Sequence, residues 1–424
     1  TLNGMTCSEF TPAIKVTVNN LLPGSVGTAQ VICEGNIPAA LTSVAASGDG
    51  TISYQWPDSP DGTAFTDIGG ANGATFAPGA LSIDTWYRRI AISDLSGFTC
   101  TAESNIVKIT VNNFDPGNIA ADQTICENTA PAPFTSTSPS GDGSFTYRWF
   151  RSTDGSSFNL IATAVSETYS SASLSADTWF FREVKSTLGT NTCVENTDTI
   201  LVTVNNFLPG TIAAEQTICE GGDPAPFTSG IPTGDGSFTY QWYESLDGTV
   251  FTSISGATDE TFDTTALTVD TWFKRAVTST LNGNICTEET PPVRVYVINF
   301  TPGTIGSDQT ICEGTVPATF TGTPPAGDGV FTYSWEFSTD SAAWNPVGGA
   351  SSSTYTSPSL SVDTWFRRLT TSTLNGFSCS EMTPPVKVTV NNFDPQSIAA
   401  DQSICEGDTP LPFTSTTPTG DGAF

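Results

Sequence analysis

Ten cysteines fall into two series that share one step. Cys33, Cys126, Cys219, Cys312 and Cys405 are each 93 residues apart, and Cys7, Cys100, Cys193, Cys286 and Cys379 keep the same interval. A strict period of this length is the mark of one supersecondary unit copied in tandem, and it constrains every later reading. Two tryptophan series hold the same register: Trp56, Trp149, Trp242, Trp335 and Trp86, Trp179, Trp272, Trp365. So does the tripeptide GDG, which begins at Gly48, Gly141, Gly234, Gly327 and Gly420. The 424 residues amount to about 4.6 copies. The expected division is the C-terminal part of a truncated repeat at 1–20, complete repeats at 21–113, 114–206, 207–299 and 300–392, and the N-terminal part of another at 393–424. The chain opens in a TLNG turn and stops just after a GDG, so a piece cut from a longer array is expected.

Within a repeat, apolar and polar residues alternate in short runs bounded by Gly, Pro, Asn and Asp, which predicts strands and turns. In FTYRWF, Phe145, Tyr147 and Trp149 share one face while Thr146 and Arg148 take the other. In NIVKITVNN, Val107, Ile109 and Val111 point inward, with Lys108 and Thr110 outward. About seven strands per repeat fit an all-β fold: a tandem array of immunoglobulin-like β-sandwiches with the third-strand Trp as core plug. The second Trp series is expected at the start of the sixth strand. It is followed in constant register by Arg89, Arg182, Arg275 and Arg368 and preceded by Asp84, Asp177, Asp270 and Asp363, a pattern that predicts ion pairs. The connector, NNFDPG or NNFLPG, combines a fixed Pro with a turn-permitting Gly, so a short, stiff junction and a rod are expected.

Composition removes several functions. There is no histidine, so triads and zinc sites that use His are excluded within these residues. A net charge of −29 argues against nucleic acid, which needs clustered Lys and Arg. No apolar run is long enough to span a bilayer, so no membrane insertion is expected, and the first residues show no secretory leader. Paired carboxylates can hydrolyse glycosides without His, but the recurring acids Glu34, Asp49, Asp61 and Asp84 stand in similar turns of every copy. No catalytic residue, no bound cofactor and no enzyme activity are expected. Calcium on the Asp-rich turns is the one cofactor considered, although no D-x-D-x-D-G loop occurs.

No C-x-x-C pair is present, so the ten cysteines read as disulfides and place the chain outside the cytoplasm. Two pairings suit the period. Cys33 with Cys100, a gap of 67, gives one bond per repeat; Cys100 with Cys126, a gap of 26, spans a junction and pairs all ten. The first is strained by an immunoglobulin-like strand order, which sets its two cysteines near opposite ends of the sandwich, and bridgeable Cα atoms lie within about 7 Å. Both remain open.

The set TICEG, GDGSFTYQW, ISGAT, DTWFRR, TSTLNG and VKVTVNN resembles the tandem Ig-like or PKD-like repeats of very large surface proteins of Bacteroidota, along the whole chain. The resemblance implies a secreted cell-surface protein, exported by the type IX system, whose repeats form stalks, adhesins or filaments as in gliding-motility adhesins. It also implies O-glycans on Asp-Ser or Asp-Thr motifs, matched here at Thr199, Thr264 and Ser341. The function expected is therefore a structural or adhesive extracellular repeat protein that associates with itself or with neighbouring repeats. The alternative is a carbohydrate-binding array for surface glycans. Most aromatics lie at inward positions; Phe65, Phe158, Phe251 and Trp344, one equivalent site, are expected in the core.

Overall fold

The computed structural model describes residues 1–423, and no α-helix occurs among them. The chain divides into two compact units, Thr1–Asn206 and a second beginning at Phe207, each holding two complete repeats. The expected all-β array of Ig-like sandwiches is what the chain forms.

The second repeat shows the plan. Its strands are β1 (Phe114–Asp115), β2 (Gln123–Cys126), β3 (Ser140–Gly141), β4 (Ser144–Ser152), β5 (Asn159–Ile161), β6 (Thr178–Leu188), β7 (Asn191–Asn196) and β8 (Ile200–Asn205). The main sheet runs β2-β8-β6-β4-β5, with β7 also paired to β6. β7 and β8 are one strand interrupted at 197–199: the first half pairs with the end of β6 and the second half with its start. β2 lies parallel to β8, so that Cys126 stands beside Asn205. This parallel first strand on the last is a feature of Ig-like sandwiches. The facing layer is thinner than seven strands would require. It is reduced to single bridges, Ile119 with Ser136, Phe134 with Tyr169 and Thr129 with Leu174. The prolines of segments such as PAPFTSTSPS lack the amide donors that sustain a long ladder.

Between the layers lies a dry core built around Trp149, with Phe134, Phe180, Val202 and Val204, all at most 2% exposed. Trp149 stacks obliquely on Phe134, with centroids 5.9 Å apart, and its indole N–H donates to Ser166 O at 3.0 Å. Trp56, Trp242 and Trp335 are equally buried, with the same bond to Gly73, Asp259 and Ser352. The third-strand Trp is thus the expected plug. Val107, Ile109 and Val111 are buried as their alternation predicted.

The second Trp series takes the other face. Trp179 is half-buried on the outside of the sheet, and its neighbour Phe180 fills the core instead. A loop covers the ring: a Cβ added at Gly155 (φ +69°) would lie 3.3 Å from it. The equivalent rings carry cations, Lys108 over Trp86 at 4.7 Å, Arg294 over Trp272 at 4.5 Å and Lys387 over Trp365 at 4.9 Å. Phe65, Phe251 and Trp344 are outer-face residues too, which corrects the core expectation. Arg88, Lys274 and Arg367 stack on them at 4.3, 4.6 and 4.1 Å. In the second repeat the place of that cation is taken by Phe181, which packs on both Phe158 and Phe150 at 4.9 Å.

The first repeat departs from the plan where Pro57 follows the plug Trp. Without an N–H it breaks the ladder, and the fourth-strand equivalent splits into Thr51–Gln55 and Pro57–Ser59. The partner strand splits with it, into Thr85–Tyr87 and Ile90–Leu95.

The turn after β4 is held by one carboxylate. Asp154 Oδ1 accepts from Ser152 Oγ at 2.6 Å and from the amides of Ser157 and Ser156 at 2.7 and 2.8 Å. These bonds, the Ser152 hydroxyl foremost, hold its pKa well below the ordinary carboxylate range, and Asp61 and Asp247 are shifted the same way by their own loops. A depressed folded-state pKa contributes stability that is complete above the unfolded value, about 3.9, and is lost as pH falls below it. Melting curves at pH 7, 4 and 2 should show a loss between the last two that is smaller in Asp154→Asn; an equal loss in both would refute this account.

Candidate functional site: the junction between repeats

The junction is built by strand direction. Chain leaves the first repeat at Asn112, the last residue of the strand Val107–Asn112, and the parallel pairing of Gln30–Cys33 places Cys33 beside it. In the second repeat, β6 runs back toward the preceding repeat and turns at 189–190 into β7, which carries Cys193. Cys33 therefore meets Cys193. They form a disulfide with Cα atoms 5.5 Å apart and a sequence separation of 160. In the second unit, Cys219 and Cys379 form the same bond, with Cα atoms 5.6 Å apart and a separation of 160. Cys126 and Cys286 each take part in a disulfide as well.

Neither pairing considered from sequence is adopted. Cys100 sits at the start of its last strand and Cys33 beside the end of that strand, at Asn112. From position 100 to 112 an extended chain covers roughly 40 Å at about 3.3 Å per residue, far beyond disulfide reach. Cys126 stands beside Asn205, a whole repeat further on, so the 26-residue pairing fails for the same reason. Nor are all ten cysteines bonded: Cys7, Cys100, Cys312 and Cys405 are exposed free thiols. For each of these, the position 160 residues away in the corresponding direction lies outside residues 1–424.

Around the first bond, Phe114 from the connector packs with Phe145, Tyr147, Val184 and both sulfurs' residues. The rings of Phe114 and Phe145 are 5.7 Å apart. A polar pin lies beside them. Asn112, 1% exposed, sends its carboxamide into the second repeat, where Oδ1 is 3.0 Å from Ser186 Oγ. Ser186 Oγ also lies 2.6 Å from Asp142 O. In the second unit the equivalent of Asn112 is Ile298, which joins Phe300, Phe331, Leu374 and the Cys219 to Cys379 bond in an apolar cluster. One junction is therefore pinned by hydrogen bonds and the other by apolar contact at the same place. A groove of about 400 Å³ opens beside the second, lined by Glu215, Thr217, Tyr296, Asn375, Gly376 and Phe377. Across it Asn375 Nδ2 donates to Thr217 Oγ1 at 3.3 Å. Asn375 and Gly376 have φ of +53° and +80°, the two-residue hairpin turn that the TLNG motif encodes.

The connector is fixed from two further sides. The GDG turn clasps it: Asp142 N donates to Asn113 O at 2.9 Å while Asn113 N donates to Asp142 Oδ2 at 3.4 Å. Its glycines are obligatory, because a Cβ at Gly143 (φ +86°) would stand 2.3 Å from Ser186 Oγ and one at Gly141 (φ +117°) 2.4 Å from Asn113 O. From below comes Arg182, fully buried and not ion-paired as expected. Its guanidinium donates to the connector carbonyl Pro116 O at 2.6 Å and to Glu167 O at 2.9 Å. Arg89, Arg275 and Arg368 do the same to Pro23, Pro209 and Pro302 at 2.8, 2.9 and 2.6 Å. Burial pulls the Arg182 pKa down, opposed by the charge of Glu167 and by Tyr147. The acids pair elsewhere. Asp177 caps Val204 N at 2.7 Å, and Asp84 and Asp363 bridge to Lys108 and Lys387 at 2.6 and 2.7 Å. The expected pairing of the arginine with the preceding Asp fails because Arg182 points inward with the even positions of β6, while Asp177 stands at an odd position and accepts from Val204 N.

Of the three candidate glycosylation residues, Thr199 and Ser341 are exposed and Thr264 is half-buried. They lie in separate loops, and the structure brings none of them together with the junction.

Strand order and junction together define a tandem array of Ig-like sandwiches cross-linked between consecutive repeats. The chain belongs to the family described as "Domain of unknown function (DUF8696)", whose model matches at residues 22–113, 115–206, 208–299 and 301–392. No curated protein matches the sequence. Among solved structures, it is similar to three N-terminal domains of the Highly Immunogenic Outer Capsid protein of bacteriophage RB49, at 13% identity, with a TM-score of 0.33, over 65% of this chain and 99% of that one. The four N-terminal Ig domains of Dscam1 match at 13% identity and a TM-score of 0.24, over 88% of this chain and 99% of theirs. The insect immune protein hemolin matches at 10% identity and 0.25, over 87% and 100%. The fold assignment rests on the strand topology above.

Peptide mapping without reductant should recover Cys33 linked to Cys193 and Cys219 linked to Cys379; a Cys33 to Cys100 or Cys100 to Cys126 peptide would overturn the geometry. Arg182→Ala, which strands two carbonyls and leaves a cavity, should cost at least about 3 kcal/mol in denaturant unfolding. Arg182→Lys, which keeps the charge but not the fork, should recover only part of it.

Proposed function

We propose that this chain is a structural or adhesive repeat protein that works outside the cell, of the stalk, tether or filament kind, and not an enzyme. The observation that carries the reading is the disulfide between consecutive repeats, made in the same register in both units. Disulfides of this kind persist in oxidising compartments and are rare in the cytosol. At the first junction, Arg182, Asp142, Asn112 and Ser186 are all engaged in holding one repeat to its connector or its neighbour. Repeat-to-repeat fixation suits a protein whose task is to set a distance or present a tip. The net charge of −29 adds repulsion against side-by-side collapse. The resemblance to Bacteroidota surface repeats supports export by the type IX route and the gliding-adhesin setting, with glycans at Thr199, Thr264 and Ser341 as part of the same proposal.

Antibody labelling of intact cells against lysed cells tests the reading. Labelling of intact cells, together with weaker surface attachment in a strain lacking the gene, is expected; signal from lysed cells alone would remove the proposal. A second reading, a glycan-binding array, is favoured by the Phe150, Phe158 and Phe181 cluster of the second repeat, where Phe181 stands in place of the cation that covers Phe65, Phe251 and Trp344 in the other repeats. Binding on a glycan array that disappears in Phe181→Arg would support it, and no binding to any glycan would end it.

A further inference from the structure

We infer that tension along this chain passes through the disulfides between repeats and bypasses the two connectors those bonds enclose, Asn112–Gly117 and Ile298–Gly303. This rests on the structural reading above and deepens it. At Cys33 the covalent path divides. One branch is the backbone to Cys193, which contains the body of the first repeat, the connector Asn112–Gly117 and strands β1 to β6; the other is a single sulfur–sulfur bond. Both branches end at the same residue, so a pull can never straighten the longer one while the shorter one holds. The segment behind the bond spans a sequence separation of 160 and would reach about 500 Å if extended, at up to about 3.4 Å per residue. It stays slack. The same division occurs between Cys219 and Cys379.

The junction's other contacts then have a different task. The Asp142 clasp and the Arg182 clamp orient the connector, which needs no mechanical strength of its own. Their individual hydrogen bonds would not survive as the sole link under sustained pull, since each contributes only about 1 to 3 kcal/mol. Burial protects the bypass: Cys193 and Cys379 are 4% and 5% exposed, among Phe114, Phe145 and Val184 in one junction and Ile298, Phe300 and Leu374 in the other. A second consequence is tolerance to cleavage. Between residues 34 and 125, a cut backbone leaves its two fragments joined by the Cys33 to Cys193 bond.

Single-molecule extension of the full chain, held at Thr1 and Phe424, tests the inference. Without reductant, the two segments behind the bonds should stay hidden. With dithiothreitol present, each protein disulfide takes up two electrons and two protons to give two thiols, and the reagent closes to its own cyclic disulfide. Once every disulfide is reduced, about 1,000 Å of extra length should appear in all, about 500 Å for each of the two segments. Equal final lengths with and without dithiothreitol would overturn the proposal. Limited proteolysis gives a second measurement on the same unaltered protein. A chain cut between residues 34 and 125 should run as one species without reductant and as two with it; two species in both lanes would overturn the proposal. A chain that is locked in both experiments only until reductant is added, yet is found only inside cells, would sink the surface reading and leave this one intact.

Discussion

The parallel pairing of the first long strand with the last decides how these repeats can be joined. Because Gln30–Cys33 runs alongside Val107–Asn112 in the same direction, the first cysteine of a repeat is carried to the end where the chain departs. The antiparallel hairpin before that last strand carries the second cysteine to the opposite end, where the preceding repeat sits. A bond inside one repeat would have to cross the sandwich lengthwise. A bond between consecutive repeats needs only that they stack end to end, and the Cα separations of 5.5 and 5.6 Å fall in the ordinary disulfide range.

Each connector is held by groups that belong to the repeat it enters, which is why it can be so short. The GDG turn, the buried arginine and the aromatic Phe114 or Phe300 all come from the downstream copy. The arginine is the unusual element. It is fully buried without a direct ion pair, and its charge is balanced by backbone carbonyl dipoles, the charge of Glu167 and the Tyr147 ring, 5.3 Å from the guanidinium carbon. A cation that needs several carbonyls at once specifies their relative positions more sharply than an apolar side chain could. The exchange of Asn112 for Ile298 shows where such specification is dispensable: beside the disulfide, either a carboxamide pin or an apolar plug closes the joint.

The outer sheet face follows a separate rule. Aromatic rings that seemed to belong to the core stand outside and are covered by Arg88, Lys274 and Arg367, cations that also bridge to Glu103, Glu289 and Glu336 at 2.6 Å. These layers of acid, base and ring keep a wide aromatic surface out of water with few charges, consistent with a chain only 13% charged.

Much of the architecture could be read from residues alone. The period, the strands, the plug Trp149 and the inward set Val107, Ile109 and Val111 are local patterns, and alternation with a period of two reports a half-buried sheet wherever it occurs. The disulfide partners could not be read that way, although 160 is the 67-residue gap plus one full period and so respects the repeat as well as the two spacings weighed. Spacing fixes which cysteines are equivalent but carries no information about which ends of two folded repeats touch. The arginine failed for a related reason: Asp84 and Arg89 are close in sequence, but side chains on one strand separate by face, and only packing decides that the guanidinium turns inward to the Pro23 carbonyl. Sequence determined the unit and its copies; the tertiary structure decided how one unit grips the next, because that depends on strand direction and burial across residues far apart in the chain.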